Sequence, residues 1–194
     1  EMWRTANAVI SGLLVAAGGI TLLAIVGISI ALESGNFKPE TVLMLRLLRW
    51  MFPYMLLACL AAVLIGMANA RGRFFVPALG SVLLNVVMIA SVLLLAPRMG
   101  LKLEEQVFGL AIGVVVAGLA QAAFQMPGLR REGFRYAWVT PWHDPTVREV
   151  VVKMIPGSIG VAAFQINVLV TQSFSYWFEP TIVSTFNYSV RLME

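Results

Sequence analysis

Charge and sulfhydryl groups are what this 194-residue chain has least of, and each shortage removes a class of protein. A single cysteine, Cys59, sits inside an apolar run, so neither a disulfide framework nor a cysteine-based metal site can be built. The one histidine, His143, lies in a polar stretch beside Asp144. That pair is all the chain offers toward a membrane enzyme, which would need clustered His, Asp or Glu. Only 12% of residues are charged against 59% hydrophobic, too little polar surface for a water-soluble domain of this size. The net charge of +4 does not point to nucleic acid, because the basic residues fall in connectors between apolar runs, the pattern of membrane topology.

What remains is length of apolar run. Uncharged stretches cover 5–32, 50–70, 74–97, 106–129 and 154–178, or 28, 21, 24, 24 and 25 residues. A bilayer core about 30 Å thick needs about 20 residues at 1.5 Å of rise each, so all five suffice. Helix is the state that fits them. Strand edges in hydrocarbon leave backbone groups unpaired, and barrel strands would be half as long and would alternate. The expected fold is all-α, a polytopic transmembrane helix bundle with five full spans (about 6–32, 50–69, 75–96, 106–126 and 150–178) and the start of a sixth at 181–194. The chain is expected to be a piece of a longer protein, since it opens on Glu1 and closes on Glu194 inside a helical run, and any targeting signal is expected upstream.

The clearest local signal is the short basic connector Asn69-Ala70-Arg71-Gly72-Arg73 between two apolar runs, which reads as the tip of a helical hairpin. Placing Arg4 in the cytoplasm puts Arg4, Arg71, Arg73, Arg130, Arg131, Arg135, Arg148 and Lys153 on that side and Lys38, Arg98 and Lys102 on the other, eight against three. Arg46 and Arg49 count against this bias. The longest connector, 127–146, is then a cytoplasmic loop, leading through Asp144-Pro145-Thr146 into an amphipathic helix start that runs into the fifth span. Arg71 and Arg73 are read as topology determinants at the lipid headgroup level.

Small residues four apart, Ala58, Ala62, Gly66 and Ala70 in the second span and Gly109, Gly113 and Ala117 in the fourth, mark expected helix contacts. The fifth span is unusually polar. Ser158, Gln165 and Gln172 form one stripe, and Gly157, Gly160, Asn167, Thr171 and Ser175 a roughly opposite one. Interhelical hydrogen bonding and a wet cavity both account for such stripes. Pro156 is expected to bend this helix near its start. In the sixth run Arg191 stands about ten residues past the outer connector, near mid-bilayer, where an arginine costs at least about 2.5 kcal/mol and normally meets a cavity or an anion.

These residues carry a resemblance. Phe52-Pro53-Tyr54, Asn69-Ala70-Arg71-Gly72-Arg73-Phe74 with Pro77-Ala78, and Leu83-Leu84-Asn85 with Met88-Ile89 resemble the lipid II flippase family MurJ, also called MviN. So do Gln121 and Gln125-Met126-Pro127 with Leu129, Met154-Ile155-Pro156 with Gly160, Gln165-Ile166-Asn167, and Tyr188 with Arg191-Leu192-Met193. The resemblance implies the third to eighth helices of a fourteen-helix, two-lobed exporter fold of the multidrug and oligosaccharidyl-lipid superfamily. It departs at Val190, where the family usually has an acid before the arginine.

By this resemblance the chain is a transporter and not an enzyme. Its expected activity is to move lipid II, the undecaprenyl-pyrophosphate-linked peptidoglycan precursor, across the bacterial cytoplasmic membrane by alternating access. Arg191 would hold the pyrophosphate, while Gln165 and Asn167 would bond sugar or peptide. The implied partners are lipid II, membrane lipids and the cell-wall synthesis machinery; no cofactor, metal or nucleic acid is expected. An exporter of another cargo, such as a polysaccharide-lipid flippase or drug exporter, would share the helices without needing that arginine.

Overall fold

The computed structural model describes residues 2–140, 142 and 145–178. The sixth run and Arg191 lie outside the described residues, as do His143 and Asp144. Every regular element among the described residues is helical: α1 (Met2–Ser34), α2 (Pro39–Met51), α3 (Pro53–Ala70), α4 (Phe75–Ala90), α5 (Ala96–Met99), α6 (Leu103–Arg131) and α7 (Pro145–Phe178), with a π-helical turn, Ser91–Leu95, joining α4 to α5. Among the described residues five helical stretches are long and apolar enough to cross a membrane: Met2–Ser34, Pro39–Ala70, Phe75–Met99, Leu103–Arg131 and Val147–Ser173. The chain divides into two units, the helices through Asp144 and the unit that begins with α7.

The second span is longer than the expected 50–69. α2 begins eleven residues earlier, with Pro39 in its first turn and Glu40 near the positive end of the helix dipole. Pro53 lacks the N–H that would continue the ladder, so the helix restarts as α3 immediately after Phe52. The connector expected at 127–146 is shorter than anticipated, because α6 runs through Pro127 to Arg131. Proline forfeits one hydrogen bond, and the next turn holds because Leu129 and Phe134 are both buried in the core.

α3 and α6 end in the same way. At each end a glycine takes the left-handed conformation, Gly72 at φ 72° and Gly133 at φ 88°. The amide after each glycine reaches back to the last turn, Arg73 N–H to Ala68 O and Phe134 N–H to Leu129 O, both at 3.0 Å. The glycine amides donate to Asn69 O and Arg130 O, completing two Schellman closures. The basic connector is therefore a helix stop followed by an immediate restart at Phe75.

The hairpin arms α3 and α4 barely touch each other. Both pack along α6, which also meets α2, the π turn and α5, while α1 packs on α3 and α2. In lipid there is little hydrophobic drive between helices, so close approach depends on small side chains. α6 buries Gly109, Ala111, Gly113, Ala117, Gly118 and Ala122. A Cβ on Gly113 would lie 2.5 Å from the Cβ and Oγ of Ser91, and one on Gly109 2.9 Å from the Cα of Ala96. The stripe expected in the second span is corrected. Ala62, Gly66 and Ala70 are exposed and nothing lies within 4 Å of a Cβ at Gly66, whereas Ala61, Leu64 and Ala68 are buried and Val63 packs against them. α3 is turned by about one residue from the face that the four-residue spacing suggested.

Candidate functional site

The two glycine-stopped ends set charged residues side by side. The capping positions of α3 and α6 are Arg71 and Glu132, and the Glu132 carboxylate accepts from Arg71 Nη2 at 2.9 Å and from Arg73 Nη2 at 2.8 Å. An acid at a helix C-terminus faces the negative end of the dipole and needs cations to hold it. Here two arginines from the neighbouring connector supply them. Arg71 also lies over the ring of Trp3, 5.9 Å from its centroid, and Trp3 meets Phe134 at 5.4 Å. One end of α1, the α3–α4 turn and the end of α6 are thus tied together.

The segment after α6 continues the tie. Asn7 Nδ2 donates to Arg135 O at 3.0 Å, Ser11 Oγ and Tyr136 Oη lie 3.3 Å apart, and Val139 N donates to Ser11 Oγ at 3.3 Å. Asn7 and Ser11 are buried, so two polar side chains of α1 are spent on fastening a strap laid across it. Away from this end, Arg49 Nη1 donates to Ser29 Oγ at 3.4 Å, joining α2 to α1.

Both arginines beside Glu132 hold its carboxyl below the usual carboxylate range, Arg71 first and Arg73 second, each chiefly by hydrogen bonding. A carboxyl whose folded value is depressed contributes stability above its ordinary value, here 4.5, and loses it as pH falls through the lower folded value. Glu132→Gln is therefore expected to lower the melting temperature of the detergent-purified protein by a constant increment from about pH 8 to pH 6, with the two curves converging below about pH 4. Thermal scans across pH check this. A gap that stayed undiminished at pH 3 would mean that the pairing is not its source.

A cavity of about 130 Å³ opens beside the pair, lined by Arg71, Arg73, Arg131, Glu132 and, deeper, Val76 and Gln125. Gln125 is 1% exposed; its Nε2 donates to Val76 O at 3.5 Å and its Oε1 has no partner among the described residues. Gly80 makes room for it, since a Cβ there would stand 2.9 Å from Nε2.

The other residues singled out from the sequence fall elsewhere. Gln165 and Asn167 are exposed on α7, and Asn167 O accepts from Thr171 Oγ1 at 2.9 Å. Pro156 lies inside α7, which continues through it. No group of three or more His, Cys, Asp or Glu that could hold a metal occurs among the described residues. Sequence reasoning missed Glu132, although it is the only acidic residue between Glu105 and Asp144 and stands directly before a helix-stopping glycine. It also missed Trp3, Asn7 and Ser11, which carry no signal in an apolar run beyond being polar or amphipathic.

The family model described as "Lipid II flippase MurJ" matches residues 4–194. The chain is 34% identical over 148 residues to the "Probable lipid II flippase MurJ" of Haemophilus influenzae, covering 76% of this chain and 28% of that protein. It is 32% identical over 166 residues to the "Lipid II flippase MurJ" of Burkholderia cenocepacia, covering 84% and 31%. With the "Probable lipid II flippase MurJ" of Bdellovibrio bacteriovorus it shares 33% over 199 residues, 97% of this chain and 36% of that one. The chain thus spans about a third of the length of these curated relatives. A multi-pass bundle of spanning helices, matched from its fourth residue to its last, belongs to the lipid II flippase MurJ family.

Proposed function

We propose that this chain is part of a flippase that carries lipid II across the bacterial cytoplasmic membrane. The family match over residues 4–194 carries the reading, and the bundle of apolar helices is consistent with it. In the proposed mechanism two bundles rock about a central, water-filled cationic cavity, so that the pyrophosphate-sugar headgroup crosses while the lipid tail stays in the bilayer. Arg191 receives the pyrophosphate and Gln165 and Asn167 bond sugar or peptide. The protein works as a transporter without a cofactor, beside the cell-wall synthesis machinery. The full-length protein should restore growth to cells depleted of their own lipid II flippase. Failure at normal membrane abundance would overturn the proposal.

The proposed orientation places the Arg71–Arg73 turn and the segment after α6 in the cytoplasm, with Asn36 outside; the charge asymmetry of the connectors supports it. Single cysteines at Asn36 and Ala137, both exposed, in a Cys59→Ser background should label from outside and inside respectively. Ala137 suits the test better than Gly133, whose positive φ would strain a cysteine. The reverse labelling pattern would refute the orientation.

A further inference from the structure

We infer that the cavity between the ends of α3 and α6 and the start of α4 binds a phosphomonoester, an interaction separate from the transport cavity and independent of the flippase reading. Arg71, Arg73 and Arg131 line the cavity together with a single acid, Glu132, leaving an excess of positive charge. Arg71 and Arg73 each give one N–H to Glu132, which fixes their planes and leaves four donors on each. Arg131 makes no ion pair with any described residue. The guanidinium fork matches phosphate oxygens in geometry as well as charge.

The deeper wall narrows the choice of anion. Gln125 is buried there with Oε1 lacking a donor, and such an acceptor calls for an O–H group or a water. A carboxylate, a sulfate or a phosphodiester brings no O–H. A phosphomonoester, with a second pKa of about 6, keeps one proton in part at neutral pH. Its charged oxygens can take the arginine donors while its P–OH donates to Gln125. At roughly 30 Å³ per water the cavity holds about four waters, which is room for one phosphate group. The phosphomonoester can come from a lipid headgroup of the phosphatidic acid type or from a soluble phosphate.

The test uses the full-length protein in detergent at about pH 6.5, where the singly protonated form is well populated. Melting is followed while dioleoylphosphatidic acid, dioleoylphosphatidylmethanol (an anionic diester without a hydroxyl), dioleoylphosphatidylcholine or inorganic phosphate is titrated in. Phosphatidic acid should raise the melting temperature saturably, the two diesters should do so far less, and Arg131→Ala should weaken the response about tenfold or more. Gln125→Leu should bring the apparent affinity for phosphatidic acid down toward that for phosphatidylmethanol, each variant being measured against its own ligand-free melting point. A saturable response to inorganic phosphate that is likewise lost in Arg131→Ala supports the same site with a soluble ligand. Equal responses to phosphatidic acid and phosphatidylmethanol, no response to either phosphatidic acid or inorganic phosphate, or variants that respond like the parent would overturn the inference.

Discussion

Leucine in place of Gly113 should lower the melting temperature of the detergent-purified protein by on the order of 5–10 °C or prevent its accumulation, whereas leucine in place of Gly66 should change it little. A Cβ alone at Gly113 would approach Ser91 to 2.5 Å, and Ser91 is itself buried in the π turn with its Oγ bonded to Val87 O. Neither side can give way without shifting helix backbone. Overpacking of this kind costs about 1–3 kcal/mol and sometimes more, and about 2–4 °C accompanies each kcal/mol for a chain of this size. Among the described residues Gly66 has no neighbour within 4 Å of its absent Cβ. Val63, which the four-residue spacing in the second span would treat as bystander, packs on the core, so Val63→Ala should cost more than Gly66→Leu. Equal losses at Gly113 and Gly66 would show that α6 does not seat against the π turn.

This contrast also separates what is legible in the sequence from what is not. Long uncharged runs fix the number and approximate extent of the helices, because hydrocarbon admits few alternatives. Their ends are less legible. Pro127 suggests a stop, yet the stop is Gly133, two residues past the last helical one, and the same glycine pattern at Gly72 makes the basic connector a tight turn. Which helix lies at the centre is not legible at all from run length. The hairpin of α3 and α4 is the strongest local signal, but α6 is the helix that both arms pack along. Small residues were the available clue. Gly109, Gly113 and Ala117 were read correctly because the spacing recurs on a face that is occupied, while the equivalent pattern at Ala62, Gly66 and Ala70 faces away from the described helices. Spacing marks a face that permits contact; it carries no information on whether a neighbour is there.

The candidate site divides along the same line. Arg71 and Arg73 were visible as charges, but their shared partner Glu132 is about sixty residues away, and only the parallel course of α3 and α6 brings their ends together. A topology signal read from arginines alone is thus also a structural tie, and the two roles predict different losses. Removing the positive charge should disturb orientation, whereas Glu132→Gln should loosen the tie and leave orientation intact.

Transport should depend on Arg191 more than on any of these residues: in the full-length protein Arg191→Ala is expected to abolish rescue of flippase-depleted cells and Arg191→Lys to impair it. The sequence places this guanidinium about ten residues into an apolar run, a position costing at least about 2.5 kcal/mol in lipid and tolerated where an anion must be received. Lysine keeps the charge and loses the planar fork that grips two phosphate oxygens at once, so a partial defect in the lysine variant is the signature of bidentate phosphate binding. A purely structural arginine would lose membrane abundance along with activity, and abundance measured beside growth separates the two. Val190 precedes this arginine where an acid would otherwise be expected, so no carboxylate directly before it competes with an anionic headgroup for its donors. Introducing one, as Val190→Glu, should weaken rescue through that competition, and more so in the Arg191→Lys background, where fewer donors remain to be shared. Growth restored by Arg191→Ala at normal abundance would remove the residue from the transport mechanism and leave the polar stripes of α7 as the part of this chain to test next.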